Sequence, residues 1–312
     1  MVGDYVELVT KIGGKNTMPV YDNSKLQTFK NCPESYRLKY IECLDKIEEA
    51  IESHDRGFGS AIHAGLECLY KGEGAEKAKK VFKDEYTIQL DMEDLAKTQD
   101  NGLIILDAYA KHYETQDKNW TIKSVEVVDT FKLDDKTEFQ VKIDLVIEQQ
   151  GCIYFVDHKT TKKAFNYSYW NQFEPNSQIT AYTAYCQSKY GECSGGIING
   201  IQLGYRQRAY KGEPAGFHYS FQRQLFNRNK EQVNAWKEDT LRWINTLDTS
   251  TAKLPTVASL RSAPIVWPKN EGQCMYCQYK PICISCYDEQ IVTQLFKRVN
   301  PNEYLNEKEV VV

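Results

Sequence analysis

The sequence lacks the features of a membrane-spanning or exported protein. No apolar run approaches the roughly 20 consecutive residues that a membrane-spanning helix needs. The first ten residues mix charged with apolar side chains and contain no apolar core of the kind found in signal peptides. We therefore expect a soluble, cytoplasmic protein in a reducing environment, with no membrane partner.

Excess positive charge and the phosphate-binding loop of ATP-driven motors are also missing. The net charge is −4, from 39 Lys and Arg against 43 Asp and Glu, which argues against a protein that coats DNA nonspecifically. A single basic groove is still compatible with this net charge, because a ligand responds to the local electrostatic potential. No G-x-x-x-x-G-K-[ST] motif occurs, so the chain is not itself a motor. Without repeats or a low-complexity linker, residues 1–312 are interpreted as a single domain.

The apolar pattern changes along the chain from helical to strand-like and back. Ser24 and Ser177 are the expected N-caps of two helices, and Pro33 is expected to open a new helical turn. The order of elements predicts an α/β fold with a small mixed sheet flanked by helices. The pattern predicts helices over 24–44, 57–70, 75–115, 177–190 and 225–247, and strands over 121–127, 131–133, 139–147, 152–159, 196–206 and 218–222.

Two neighbouring strands are predicted to bring carboxylates and a lysine to one face of the sheet. Side chains alternate along a strand, so Asp157 and Lys159 point to the same side. If Gln149-Gln150 forms a two-residue turn, Asp144 pairs with Phe155. Asp144 then shares the face of Asp157, one diagonal step away at about 7–8 Å. A loop with an odd number of residues would break this arrangement.

These residue types suit metal-assisted hydrolysis of a phosphodiester. Mg²⁺ binds one or two carboxylates together with water and substrate phosphate. A bound metal activates water, and a lysine nearby can hold that water and stabilise the charged transition state. The alternative is an ordinary solvated face, because Asp-x-Lys is a common sequence.

The same residues resemble the paired motifs of the PD-(D/E)xK nucleases, with Asp144 followed by Asp157-His158-Lys159. Residues 57–63 look like the first motif of the RecB-like branch, and Gln178 and Tyr182 match its Gln-x-x-x-Tyr motif. One departure is Val141, where the family often has Gly three residues before the motif-two Asp.

The resemblance implies a restriction-endonuclease-like core, at about residues 57–250, that uses Mg²⁺ or Mn²⁺. Glu67 follows His63 by one helical turn and shares its face. Lys159 would be catalytic, and Gln178 and Tyr182 would position the DNA strand or the lysine. The implied metal ligands are His63, Asp144, Asp157 and the backbone carbonyl of His158.

Ten Cys is a high count, and four lie within thirteen residues. In a reducing compartment, the cluster Cys274, Cys277, Cys283 and Cys286 indicates a metal or iron–sulfur site. Zinc is not favoured, because zinc ribbons usually separate their two Cys pairs by more than the five residues found here. The fourth ligand could be Cys286 or a distant cysteine.

The N-terminal segment resembles that of AddB-type iron–sulfur nucleases, through Ser24-x-Leu26-x-x-Phe29-x-x-Cys32-Pro33 followed by Tyr36. This resemblance implies a structural 4Fe–4S cluster, held in a lobe that joins 24–44 with 268–290. Its ligands would be Cys32, Cys274, Cys277 and Cys283. The core or incidental thiols would be Cys43, Cys68, Cys152, Cys186 and Cys193.

Two groups of basic residues are interleaved with aromatic residues, as in proteins that bind single-stranded nucleic acid. An ordinary solvated surface is the alternative explanation for each group. The residues are Lys30, Arg37 and Lys39 around the Cys32 helix, and Arg206, Arg208 and Lys211 with Tyr205 and Tyr210 near a strand edge.

Together these patterns predict a metal-dependent deoxyribonuclease, with single-strand exonuclease activity expected by analogy. Its substrate would be single-stranded DNA or DNA with a free end, in repair, recombination or phage replication, and with a helicase or recombination partner. The alternatives are a noncatalytic DNA-binding or recombination-accessory protein and a zinc-stabilised interaction protein. The sequence specifies neither cleavage polarity, strand preference, oligomeric state nor pathway.

Overall fold

The computed structural model describes residues 20–47, 54–87, 94–193, 195–209, 211–251 and 268–299. The helices are α1 (Asn23–Asn31), α2 (Pro33–Tyr36), α3 (His54–Tyr70), α4 (Ala75–Glu85), α5 (Gln99–Asp117), α6 (Tyr167–Asn171), α7 (Ser177–Tyr190), α8 (Lys230–Thr251), α9 (Lys280–Ile284) and α10 (Glu289–Leu295). The strands are β1 (Val20–Asp22), β2 (Leu44–Lys46), β3 (Thr121–Lys132), β4 (Glu138–Gln149), β5 (Cys152–Thr161), β6 (Gly195–Arg206), β7 (Gly216–Phe226) and β8 (Phe296–Arg298). None of the described helices is long and apolar enough to cross a membrane.

The chain divides into two compact units. Among the described residues, the first unit contains 20–47, 130–140, 235–251 and 268–299, and the second contains 54–129 and 141–234. The division into a nuclease core at about 57–250 and a lobe from 24–44 plus 268–290 stays a prediction.

The second unit contains a mixed sheet flanked by helices, as expected of a restriction-endonuclease-like fold. Its strands follow the order β3-β4-β5-β6-β7, in which β5 and β6 are parallel and β4–β5 and β6–β7 antiparallel. Phe58, Ile62 and Leu66 form an apolar stripe on α3 and pack with α4, α5 and Ile201 of β6 on one face. On the other face, the Tyr182 ring of α7 meets the Phe155 ring of β5 at 5.3 Å.

The β4–β5 hairpin differs from the predicted register by two residues. Gln149 pairs with Cys152 and Leu145 with Val156, so the turn consists of Gln150 and Gly151 rather than Gln149-Gln150. Both turn residues have positive φ, 53° and 78°, a combination that favours Gly at the second position. The predicted pairing of Asp144 with Phe155 is therefore wrong. The loop still has two residues, so every side chain keeps its predicted face.

The first unit joins segments from distant parts of the sequence around its own core. β1 pairs in parallel with the start of β4, and β2 pairs antiparallel with β8. The buried carboxylate of Glu34 accepts hydrogen bonds from the Arg37 guanidinium and from Tyr287 Oη at 2.8 Å. The core residues are Leu38, Leu44, Tyr279, Ile282, Tyr287, Val292 and Phe296.

Several predicted boundaries are wrong for local reasons. β3 is one strand rather than two, and α8 begins at Lys230 rather than 225, because residues 225–226 still pair with β6. Asp22 caps α1 and Asn176 caps α7, each one or two residues before the predicted serine. Residues 75–115 are not one helix, since α4 ends at Glu85 and α5 begins at Gln99.

Candidate active site

The catalytic lysine predicted from the sequence lies between an acidic and an amide side chain. Lys159 Nζ is 2.8 Å from the Asp157 carboxylate and donates a hydrogen bond to Gln178 Oε1 at 3.4 Å. Asp157 is buried, and Lys159 is largely enclosed, so their interaction is only weakly screened by water. β5 supplies both charged residues from one face, and α7 supplies the amide.

The predicted Gln-x-x-x-Tyr pair links this lysine to the neighbouring strand. Gln178 Nε2 donates a hydrogen bond to Tyr182 Oη at 3.0 Å, as residues four apart on one helix face can do. Tyr182 Oη in turn donates to the backbone carbonyl of Lys142 in β4. This chain of hydrogen bonds holds the lysine relative to both β4 and β5.

A second group of side chains forms a cation-binding constellation. His63 Nδ1 lies 3.3 Å from Asp144 Oδ1, and one ligand atom each from His63, Glu126 and Asp144 all lie within 4.8 Å of one another. The other carboxylate oxygen of Asp144 accepts a hydrogen bond from the backbone N–H of His158 at 2.7 Å. An imidazole with two carboxylates is a donor set that suits a divalent cation.

Electrostatics in this group favour an ionised Asp144. Burial acts to raise the pKa of Asp144, but the charge and hydrogen bond of His63, together with the charge of Lys159, outweigh burial and hold the pKa below its usual value. Burial acts to lower the pKa of His63, but the charge and hydrogen bond of Asp144, together with the charge of Asp157, reverse this effect and raise the pKa. Burial raises the pKa of Asp157, with a contribution from the charge of Asp144 and opposition from Lys159. The site thus concentrates negative charge that a cation would stabilise.

Glu126 was missed in the sequence, whereas Glu67 was noted there as sharing a face with His63. Glu126 belongs to β3 and has a φ of 49°, which is uncommon for a residue other than Gly. Glu126 fits the alternation of polar and apolar residues along the strand, so nothing in the sequence distinguishes it from an ordinary solvent-facing residue. Glu67 instead pairs with Lys71 at 2.5 Å and is not a member of the His63 group.

The side chain of His158 faces away from the side of the sheet that carries Asp157 and Lys159, and it belongs to a buried polar network. Asn199 Nδ2 donates a hydrogen bond to His158 Nδ1 at 2.7 Å, and the Tyr70 ring stacks on the imidazole at 5.6 Å. Burial, reinforced by the charges of His63 and Arg223, lowers the pKa of His158 to about 3. The ring is therefore neutral at physiological pH.

Arg223 is at the centre of this network. Its guanidinium binds both carboxylate oxygens of Asp117 and donates to Asn199 Oδ1 at 3.2 Å. It also donates to Tyr70 Oη at 2.9 Å and to Tyr109 Oη at 3.0 Å. No motif indicated this network in the sequence, because its members come from α3, α5, β6 and β7.

The basic residues predicted to contact DNA have different surroundings. Arg37 is buried in its ion pairs with Glu34 and Glu42, so the structure argues against a DNA-contacting role for this residue. Lys30 lies 3.6 Å from Asp239, and Arg206 lies 3.6 Å from Glu213. Lys39 Nζ lies over the Tyr40 ring, 5.3 Å from its centroid, and Tyr210 lies outside the described residues.

Cys32 lies within electrostatic reach of the C-terminal thiols. Burial raises the pKa of the Cys277 thiol, and the thiols of Cys32 and Cys274 raise it further. Burial also raises the pKa of the Cys283 thiol, with contributions from Cys277 and Cys32. Cys286 is exposed, whereas Cys32 is buried. Of the other five cysteines, Cys43, Cys68 and Cys186 are buried, Cys193 is half-buried and Cys152 is exposed.

The model of the PD-(D/E)XK nuclease superfamily matches residues 23–284. The chain belongs to this superfamily. Membership makes it a nuclease of a metal-dependent type, and the His63, Glu126 and Asp144 group could bind such a metal. No curated protein matches the chain.

Three solved structures are similar to this PD-(D/E)XK nuclease at low identity. A protein described as a candidate exonuclease from Eubacterium rectale shares 13% identity with a TM-score of 0.46, over 74% of this chain and 82% of its own. SSO0001 shares 12% with a TM-score of 0.29, over 72% and 83%. LHK-Exo, in complex with dAMP, shares 13% with a TM-score of 0.20, over 63% and 97%. The family assignment rests on the superfamily match rather than on these likenesses.

Proposed function

We propose that the chain is a Mg²⁺- or Mn²⁺-dependent deoxyribonuclease that hydrolyses phosphodiester bonds at a strand end. The observation that carries this proposal is the convergence of Asp157, Lys159 and Gln178 beside the His63, Glu126 and Asp144 group within one unit. A noncatalytic relative would be expected to lack a ligand or the lysine. All the predicted positions carry the required residue types.

His63, Glu126 and Asp144 would hold the cation, with Asp157 and the His158 carbonyl as the further predicted ligands. A divalent cation bound there would supply a Lewis acid and lower the pKa of a coordinated water. The backbone N–H of His158 fixes one oxygen of Asp144, which leaves the oxygen nearer to His63 directed at the group. This fixed orientation reduces the reorganisation needed on binding.

Lys159 would act on the water and on the phosphate. Hydrolysis joins a water oxygen to phosphorus and breaks the bond from phosphorus to the leaving sugar oxygen. Negative charge increases on the phosphate oxygens as this happens, and an ammonium group in a site of low water content stabilises that charge. Gln178 and Tyr182 keep the lysine in place, because they connect it to the Lys142 carbonyl.

The proposed preference for single-stranded DNA is supported by exposed aromatic rings, and the action at a strand end follows from the resemblance to RecB-like exonucleases. Tyr205 is about half exposed on β6, beside Arg206, and Tyr219 on β7 is similarly exposed. Exposed aromatic rings near basic side chains suit stacked bases and a phosphate backbone. A role in repair, recombination or phage replication, with a helicase partner, extends the same proposal.

The first unit would hold a 4Fe–4S cluster through Cys32, Cys274, Cys277 and Cys283. The mutual electrostatic influence of these thiols supports the set, since Cys32 acts on both Cys277 and Cys283. Cys286 is the weaker alternative, because it is exposed and is not among the largest influences on the pKa of those two thiols. Thiolate ligation by four cysteines is the usual mode for such a cluster.

The decisive experiment is cleavage of single-stranded DNA labelled at either the 5′ or the 3′ end, with Mg²⁺ or with EDTA. We expect Mg²⁺-dependent cleavage, and mononucleotide release from one labelled end would identify a strand-end activity and its polarity. Cleavage at internal positions alone would leave hydrolysis intact and exclude the exonuclease. Binding of DNA without cleavage in Mg²⁺ or Mn²⁺ would instead identify a noncatalytic DNA-binding protein.

A further inference from the structure

The short helix α6, which follows β5, carries a tyrosine with an unusual hydroxyl. Tyr169 is 5% exposed, and among the residues that the structure describes its Oη has no hydrogen-bond partner. A buried polar group without a partner destabilises a fold, so an unpaired hydroxyl in a native protein calls for an explanation. One explanation is that its partner is a ligand.

Tyr169 lies on the catalytic face of the sheet. Gly200 pairs with Lys159 across β5 and β6, and paired residues project their side chains to the same face. A Cβ on Gly200 would stand 2.6 Å from the Phe165 ring, so Phe165 covers Gly200 on that face. The Tyr169 ring lies 5.2 Å from the Phe165 ring.

Electrostatics independently connect this hydroxyl with the active site. Burial raises the pKa of Tyr169, and the charge of Asp157 raises it further. The hydroxyl therefore keeps its proton at neutral pH and is available as a donor. A protonated hydroxyl that responds to the charge of Asp157 does not act as a base, but it can donate to an anionic oxygen that enters the site.

The surroundings hold the Tyr169 ring in one orientation. Its backbone N–H is bound by the N-cap Asn166 at 3.0 Å. Its ring meets Trp170 at 4.8 Å and Phe173 at 5.6 Å, both edge-on. Trp170 Nε1 is likewise buried without a partner among the described residues, and its ring stacks on that of Phe165 at 5.3 Å. A donor fixed in advance is the arrangement that stabilises a developing charge most effectively.

We propose that Tyr169 Oη donates a hydrogen bond to a nonbridging oxygen of the scissile phosphate of bound DNA. Tyr169 is then a catalytic residue that contacts the substrate phosphate. This inference rests on the proposed nuclease function. It adds a substrate contact that stabilises the charge formed on the phosphate while the bond to the leaving sugar oxygen breaks.

The test compares Tyr169→Phe with Tyr185→Phe, each of which removes one buried tyrosine hydroxyl. Tyr185 Oη donates to Asp129 at 2.9 Å and has no place in the proposed chemistry. For Tyr169→Phe we expect the cleavage rate at saturating DNA to fall about 10- to 100-fold. Its thermal midpoint in EDTA should stay equal or rise, because the lost hydroxyl had no partner. Tyr185→Phe should cleave normally and melt at a lower temperature.

The outcomes separate this inference from the proposed function. If the wild type cleaves no DNA, the nuclease proposal and this inference both fail. If the wild type cleaves and Tyr169→Phe cleaves equally fast, only the Tyr169 assignment fails. A lower thermal midpoint for Tyr169→Phe, comparable to that of Tyr185→Phe, would show a structural partner for the hydroxyl and would also overturn the assignment.

DNA with a single phosphorothioate at the scissile linkage gives a second readout. Sulfur accepts hydrogen bonds less well than oxygen, and Mn²⁺ as the cation reduces the effect of sulfur on metal binding. We expect the wild type to cleave one of the two diastereomers more slowly and Tyr169→Phe to lose that difference. An unchanged difference in the variant would overturn the contact.

Discussion

At the scale of single residues, the candidate site depends on a side chain whose backbone has an uncommon conformation. Glu126 is the clearest case, because its φ of 49° stores backbone strain of the order of 1–3 kcal/mol. Strain of this kind persists where the surrounding structure enforces it, and it is often found at functional sites. The strained residue here directs a carboxylate at His63 and Asp144.

Replacing Glu126 with Gln should weaken metal binding without unfolding the protein. The amide keeps the shape of the side chain but removes the negative charge, so we expect the affinity for Mn²⁺ to fall at least about tenfold. Titration calorimetry with protein freed of divalent cations measures this directly. Glu148→Gln is the matched control, because Glu148 only pairs with Lys123 at the surface. Equal Mn²⁺ affinity in both variants would remove Glu126 from the metal site.

At the scale of secondary-structure elements, the alternation in residues 138–161 was enough to predict the hairpin and the shared face. The pairing register of the hairpin could not be predicted from this alternation, because a Gln149-Gln150 turn and a Gln150-Gly151 turn both contain two residues. In the structure both turn residues have positive φ, which favours the Gln150-Gly151 turn because it has Gly at the second position. Since the two registers differ by two residues, the face of Asp144 was predicted correctly although its partner was wrong.

Other features were predicted wrongly or missed where contacts between residues distant in sequence determine the structure. β7 extends to Phe226 because it pairs with β6, and Asn229 begins α8 through reciprocal bonds with Gln232. This capping pair, Asn followed three residues later by Gln, is a local sequence signal for a helix that begins at Lys230. The Arg223 network, in contrast, had no local signal, since its charged and polar groups meet only after the sheet and helices have assembled.

Arg223→Met should destabilise the second unit strongly. The substitution leaves the partly buried Asp117 carboxylate without its cation and removes the guanidinium donor to Asn199 Oδ1. We expect the free energy of unfolding to fall by about 3 kcal/mol. Urea denaturation measures this loss, with Arg242→Met as the control at an exposed ion pair, where a change below about 1 kcal/mol is expected. A loss of similar size in both variants would show that the network contributes little.

At the scale of the whole molecule, sequence segments far apart assemble each of the two units. In the first unit, Cys32 is close enough to influence the pKa of Cys277, which lies more than two hundred residues later in the chain. The sequence could suggest this arrangement only through its resemblance to iron–sulfur nucleases, because spacing alone also allowed Cys286. A metal or cluster that joins such segments contributes directly to folding.

The cluster proposal predicts opposite results for two cysteine variants. After anaerobic purification, Cys32→Ser should lose iron, sulfide and visible absorbance and should melt at a lower temperature. Cys286→Ser should retain all of these. Loss in Cys286→Ser with retention in Cys32→Ser would assign the fourth ligand to Cys286. Zinc instead of iron in the wild type would exclude the iron–sulfur cluster.

The proposed hydrolysis depends on Lys159 at the centre of a metal-dependent site. The most direct test is the rate of DNA cleavage in Mg²⁺ by the wild type, Lys159→Ala and Lys189→Ala, a control on α7 whose lysine pairs with Asp129. We predict that EDTA abolishes wild-type cleavage, that Lys159→Ala lowers the rate at least about a hundredfold, and that Lys189→Ala is unaffected. Cleavage that persists in EDTA or in Lys159→Ala would contradict the account.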